Sequence, residues 1–247
     1  MKAKNNNGNI VRLAAAQALS MTTMNVNIIN TALVGSLLSP YPWLATLGLS
    51  LQFMTSMLTT LPASLLMVRY GRRPIFLAGV IIASAASFTQ AVAILLSSFL
   101  LFCLASMFLG IALGCAGFYR YAAADSADEA QKPKAISYVL TGGLFAALLG
   151  PEIARNTVGM VPEHLYAGCF FVSALVQLIS LAFLYGVNIP KPKRTISGGR
   201  DIRIFFKNPV FLVGALSAAL GYAMMSYMMT ATPLQIVNAA KLGTSAN

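Results

Sequence analysis

The sequence predicts an all-α, polytopic membrane protein of about seven transmembrane helices, and three observations carry that expectation. Hydrophobic residues make up 57% of the 247 and charged residues 9%, against roughly 45–50% and about 25% in a soluble domain. A core of that size cannot hide so much apolar surface. The apolar residues fall in blocks of about 20 or more, the length that crosses a hydrocarbon layer of roughly 30 Å at about 1.5 Å per residue. Between the blocks the basic residues occupy alternate gaps, the pattern of loops held on one side of a membrane.

The spans run 11–37, 43–67, 74–96, 98–121, 135–158, 164–187 and 209–234. The first follows the basic stretch MKAKNNNGNIVR, and its length and lack of a cleavage site make it a helix and not a removable signal peptide. An uncharged turn, Ser39-Pro40-Tyr41-Pro42, leads to the second span. Arg69-Tyr70-Gly71-Arg72-Arg73 joins the second to the third, and Arg120, Lys132 and Lys134 lie between the fourth and fifth. After the sixth come Lys191, Lys193, Arg194, Arg200, Arg203 and Lys207, whereas the gaps after spans one, three and five offer only Arg155 and His164. Lys/Arg bias sets orientation. The amino terminus and the basic loops are therefore expected in the cytoplasm, the carboxyl end outside, and the chain in the cell inner or plasma membrane. Prolines, Gly198-Gly199 and six basic residues mark 188–208 as a cytoplasmic linker. It separates a six-helix bundle, 1–187, from a seventh helix, 209–247, that begins a second bundle.

Several function classes are set aside at this stage. A net charge of +11 suits nucleic acid, but these charges sit in membrane loops and form no continuous basic face. Cys103, Cys115 and Cys169 lie inside apolar blocks with no CxxC spacing, so they read as buried hydrophobes, and no metal or cofactor is expected. No catalytic pair stands out, which argues against an enzyme. A seven-helix receptor or retinal protein would place its amino terminus outside, and the seventh helix lacks a central lysine.

Polar residues inside the spans are the candidates for function. Gln17, Ser20, Thr23, Asn27 and Asn30 fall within an arc of about 140° on the first helix, forming a polar stripe on a cavity or on neighbouring helices. In the fifth helix Gly143, Ala147, Gly150 and Ala154 make a small-residue stripe suited to close packing, and Pro151 should bend it. Glu152 and Arg155 are three apart, within reach of an ion pair, and an ionisable residue in a membrane helix usually marks a pathway or a paired site. Gly110, Gly114 and Gly117 read as a packing surface of the fourth helix.

The stretch Ser64-Leu65-Leu66-Met67-Val68-Arg69-Tyr70-Gly71-Arg72-Arg73-Pro74 resembles the loop between helices two and three of the major facilitator superfamily. That signature runs Gly, any, Leu, Ala, Asp, Arg, any, Gly, Arg, Arg or Lys. Arg69, Gly71, Arg72 and Arg73 match it, while Ser64 replaces the first glycine and Val68 the acidic residue. Gly142-Gly143-Leu144-Phe145-Ala146-Ala147-Leu148-Leu149-Gly150-Pro151 is similar to the glycine-and-proline motif of family antiporters, with Ala154 and Arg155 in place of its terminal glycine pair. The resemblance implies secondary active transport of a small molecule, by proton-coupled export or uptake. It implies a substrate cavity faced by Gln17, Ser20, Thr23, Asn27 and Asn30. A gating loop would comprise Arg69, Gly71, Arg72, Arg73, Arg120 and Asp125. Coupling or helix bending would use Gly143, Gly150, Pro151, Glu152 and Arg155. Family members ordinarily have about twelve spans, so the chain is expected to be incomplete. Its partners would be the lipid bilayer, an unknown small-molecule substrate and either a second copy or a second half-transporter. The competing reading is a non-transporting membrane protein or remnant that binds a partner through its half-domain surface.

Topology gives the first test. A reporter fused after Arg73 or Arg200 is expected to report a cytoplasmic position and one after Gly159 an external one; an external reading at Arg200 reverses the orientation.

Overall fold

In the computed structural model, which describes residues 3–187, 189 and 208–245, every regular element is helical. The long helices are α1 Ala3–Leu38, α2 Leu47–Tyr70, α3 Arg72–Leu95 and α4 Phe99–Ala116. They are followed by a short α5 Tyr119–Ser126, then α6 Lys132–Thr157, α7 Ala167–Tyr185 and α8 Pro209–Ser245. Membrane-length apolar segments occupy Pro42–Tyr70, Arg72–Leu95, Phe99–Ser126, Lys132–Thr157, Ala167–Tyr185 and Pro209–Thr232. α1, at 36 residues, is long enough to cross, but its Asn, Gln, Ser and Thr side chains lower its mean hydropathy below theirs. The molecule is a multi-pass helical membrane protein.

Two compact units divide the chain, Met1–Pro192 and Lys193–Asn247. Within the second, α8 is the one described helix. Apart from residues 189 and 208, the linker expected over 188–208 lies outside the described residues.

In the first unit α1 packs on α6 and α7, α3 on α4 and α7, and α2 on α4. Small residues set these approaches. A Cβ on Gly110 would lie 2.2 Å from the Gln52 carbonyl oxygen, and one on Gly114 2.9 Å from that of Ser56, so α4 touches α2 through hydrogen-sized contacts. Gly117, expected on the same surface, instead sits where the fourth span breaks. The Gly117 and Phe118 amides tighten the last turn onto Leu113 and Cys115, and the span resumes as α5 at Tyr119. Between helices, edge-on aromatic pairs fill the core: Phe76 with Tyr119 at 4.7 Å and Phe102 with Phe170 at 5.6 Å between centroids.

The small-residue stripe of α6 is shifted from its expected register. Gly142, Ala146, Gly150 and Ala154 are buried, and a Cβ on Gly142 would fall 2.8 Å from the Ala14 carbonyl oxygen. Gly143 has open space around it and Ala147 is exposed. The physical reason is the i, i+4 ridge: four residues turn through about 400°, so 142, 146, 150 and 154 stay on one slowly drifting line that follows α1. The sequence holds glycine at both 142 and 143, which allows either register.

Adjacent glycines therefore give opposite outcomes. Gly142→Leu is expected to destabilise the fold by about 1–3 kcal/mol through overpacking, whereas Gly143→Leu should stay within roughly 0.5 kcal/mol of the parent. Unfolding in detergent with increasing dodecyl sulfate measures both, and equal losses would contradict the packing register.

Candidate functional site

The α1 polar stripe points into the bundle. Gln17, Thr23, Asn27 and Asn30 are each at most 6% exposed, and Ser20 is half-buried. Ser20, Thr23 and Asn27 line a cavity of about 30 Å³ together with Gln52 of α2, Tyr119 of α5 and Gln177 of α7. The remaining wall is apolar, with Val80 and Ala83 from α3 and Leu109 from α4. Asn30 belongs elsewhere on the same helix, donating to the Val26 carbonyl at 2.8 Å, and Gln17 lies outside this lining.

A hydrogen-bond chain fixes the amide ends. Gln177 Nε2 donates to Thr23 Oγ1 at 2.7 Å, Thr23 Oγ1 donates to the Ser20 carbonyl at 2.9 Å, and Asn27 Nδ2 donates to the Thr23 carbonyl at 3.1 Å. With their N–H ends engaged, Gln177 Oε1 and Asn27 Oδ1 have no partner, nor does Gln52 Oε1. Three buried acceptors around one small cavity call for a donor. The space exceeds the roughly 10–15 Å³ one water needs, so waters or the donor groups of a ligand can meet them.

Gln52 and Gln177 were not singled out from the sequence. The available signal was a lone amide inside an otherwise apolar run, Leu49-Ser50-Leu51-Gln52-Phe53 and Leu175-Val176-Gln177-Leu178, since an unpaired amide in hydrocarbon is costly.

At the opposite end of α2 the arginine-rich turn is folded about Gly71, whose φ of 96° suits a residue with no Cβ. Arg72 forms an ion pair with Asp125. Arg73 donates to the Tyr185 carbonyl at the end of α7 and lies over the Tyr185 ring at 5.1 Å. Arg69 stacks over Tyr70, and Arg120, expected near Asp125, stacks over Tyr121 at 5.0 Å. Near the far end of α6, Arg155 reaches Glu152 at 2.8 Å and Asn156 donates to the same carboxylate oxygen at 2.7 Å. This pair is largely exposed, and Pro151 lies within the continuous helix. Gly150 packs on Asn25, whose amide donates to the Ala146 carbonyl at 3.1 Å.

The first unit is thus a polytopic helical bundle with a buried cavity lined by uncharged amides and with a basic turn at one end. The chain belongs to the Major Facilitator Superfamily, whose family model matches residues 13–246. It is 36% identical over 233 residues to the riboflavin transporter RfnT of Brucella anthropi, covering 93% of this chain and 58% of that protein. It is 26% identical over 181 residues to the multidrug resistance protein MdtM of Salmonella typhimurium, covering 72% of this chain and 43% of that protein. The chain thus spans about half the length of these curated relatives. Family and relatives alike point to a transporter and away from an enzyme.

The unmet acceptors make a stability prediction. Replacing a buried acceptor lacking a partner by an apolar group of similar shape removes a penalty of about 1–3 kcal/mol. Gln52→Met is expected to leave the melting temperature of the ligand-free protein unchanged or higher; a fall of several degrees would show that Gln52 Oε1 is already satisfied.

Proposed function

We propose that this chain forms part of a secondary active transporter for an uncharged small molecule rich in hydrogen-bond donors, of the flavin kind. The observation that carries the reading is the set of three unmet amide oxygens, on Asn27, Gln52 and Gln177, around a cavity whose lining has no charged side chain. A charged substrate would find no counter-ion there. The cavity of about 30 Å³ has room for one small donor-bearing group of an uncharged molecule, an imide N–H or a ribityl hydroxyl, to complete the acceptors. The name of the relative at 36% identity, a riboflavin transporter, supports the same chemistry. Ser20, half-buried beside Thr23, is the position on α1 from which such a group would enter.

Proton coupling is assigned to Glu152. It is a carboxylate within a membrane-length helix, next to Pro151 and held by Arg155 and Asn156. The basic turn carrying Arg69, Arg72 and Arg73 is assigned to the cytoplasmic face and to gating, with Asp125 as the partner of Arg72. Apolar faces on α2 (Met57, Leu61, Leu65) and α6 (Leu144, Phe145, Leu148) are more than 60% exposed in this chain. We assign them to lipid and to a second helical bundle.

Binding tests the assignment directly. Purified chain in detergent is expected to quench riboflavin fluorescence saturably, to bind riboflavin 5′-phosphate more weakly, and to lose about tenfold in affinity, near 1.4 kcal/mol, on Gln177→Met. Glu152→Gln should bind like the parent at neutral pH and abolish any dependence of that binding on pH. Quenching that does not saturate, or a preference for the phosphate ester, would exclude the uncharged-ligand reading.

A further inference from the structure

Hydrogen bonds join α1 to α7 at two levels. Near the start of α1, Arg12 Nη1 donates to the carbonyl of Gly186, the residue that ends α7. The guanidinium packs against that glycine: a Cβ there would stand 2.8 Å from Arg12 Cζ and Nη1. Gly186 has a φ of −84°, open to any residue, so its lack of a side chain serves the approach of Arg12 and not the backbone. A guanidinium settles there because the last turn of a helix leaves carbonyls unfilled and attracts positive charge. Inside the bundle the second bond runs from Gln177 Nε2 to Thr23 Oγ1 at 2.7 Å.

We propose that Arg12 is a positioning residue for the cavity: by capping α7 it fixes how far α1 stands along that helix, and so holds Gln177 against Thr23 with Oε1 left for a ligand. This rests on the reading of the cavity as the binding site. The two bonds run in opposite directions along the two helices, so α1 and α7 are antiparallel. From Arg12 to Thr23 is about 16 Å and from Gly186 to Gln177 about 14 Å at about 1.5 Å per residue, so the bonds are matched rungs of one ladder. No glycine or proline falls between 12 and 23 of α1 or between 177 and 185 of α7, so each stretch moves as a rod. Lipid is as apolar as the helix faces, and register is left to close fits and polar contacts. A slip of one residue, about 1.5 Å, takes the Gln177–Thr23 bond out of range and frees the carboxamide to rotate.

The test is a pair of double-mutant comparisons on the full chain in detergent, since residues too far apart to touch ordinarily act additively. In the first, without ligand, Thr23→Val is expected to lower the melting temperature of the parent by several degrees and that of Arg12→Gln by less than half as much. Gly186→Ala, which displaces the guanidinium while leaving Arg12 in place, should act like Arg12→Gln and carries the comparison if Arg12→Gln does not fold. Arg12→Lys, which still donates to the Gly186 carbonyl, should restore the parent's response. In the second, Arg12→Gln is expected to weaken riboflavin binding about tenfold, and to weaken it no further once Gln177 is Met. An equal effect of Thr23→Val in both backgrounds, or an equal loss of affinity with and without Gln177, overturns the proposal. Failure of the parent to bind riboflavin counts against the transport reading alone, and the melting comparison then decides the role of Arg12 by itself.

Discussion

Hydrocarbon offers no hydrogen-bond partner, and the rest of the structure depends on that constraint. Every backbone amide in a span must be satisfied within its own helix, and the regular structure described is helical throughout. Side-chain hydroxyls follow the same rule: Thr22, Thr55 and Ser106 each donate to the carbonyl four residues earlier on their own helix. Because apolar burial gives helices no advantage over lipid, they associate through close contact and the few polar groups that face inward. α1 shows the result. Its polar residues would be unfavourable toward lipid, and α6 and α7 cover them, with Gly142 and Gly150 letting α6 come near enough to do so.

Against that background, unmet polar atoms are informative. Unmet polar atoms also occur on Thr31, Ser87, Gln90, Ser173 and Ser180; Asn27 Oδ1, Gln52 Oε1 and Gln177 Oε1 are set apart by sharing the lining of one cavity, where stability is given up at a single place. Each such acceptor costs about 1–3 kcal/mol, comparable with a core defect. A bundle needing only to pack could carry Leu or Met at 52 and 177. Donor-bearing molecules entering the cavity recover that cost, which is how a neutral site gains selectivity for hydrogen-bond donors over apolar solutes of equal size.

Helix content and span positions were legible because apolar block length is a one-dimensional signal that survives without tertiary information. The polar face of α1 was legible for the same reason, since Gln17 to Asn30 repeat with the helical period. Gln52 and Gln177 were not, because each is a single residue on its helix and only the fold brings them to Thr23 and Asn27. The register of α6 was ambiguous where Gly142 and Gly143 stand side by side, and choosing between them needs the position of Ala14. The break at Gly117 escaped notice because the apolar run continues unbroken through it. The pairing of Asp125 went to Arg72, which reaches it from the start of α3, while Arg120 found a closer partner in the ring of its neighbour Tyr121.

The loss of the acidic residue at position 68 does not leave the basic end of the bundle unbraced, because the arginines divide the work. Arg72 binds Asp125, joining α3 to the end of α5. Arg73 donates to the Tyr185 carbonyl, and Arg12, from α1, donates to that of Gly186. Both carbonyls belong to the end of α7, where the last turn leaves acceptors unfilled and the helix dipole favours positive charge. α1, α3 and α7 are thereby tied at one level by charge-assisted bonds to backbone, which do not depend on a titrating partner. The brace through Arg12 and Arg73 persists, so what Val68 changes is the ligand available to one guanidinium and not the integrity of the bundle end.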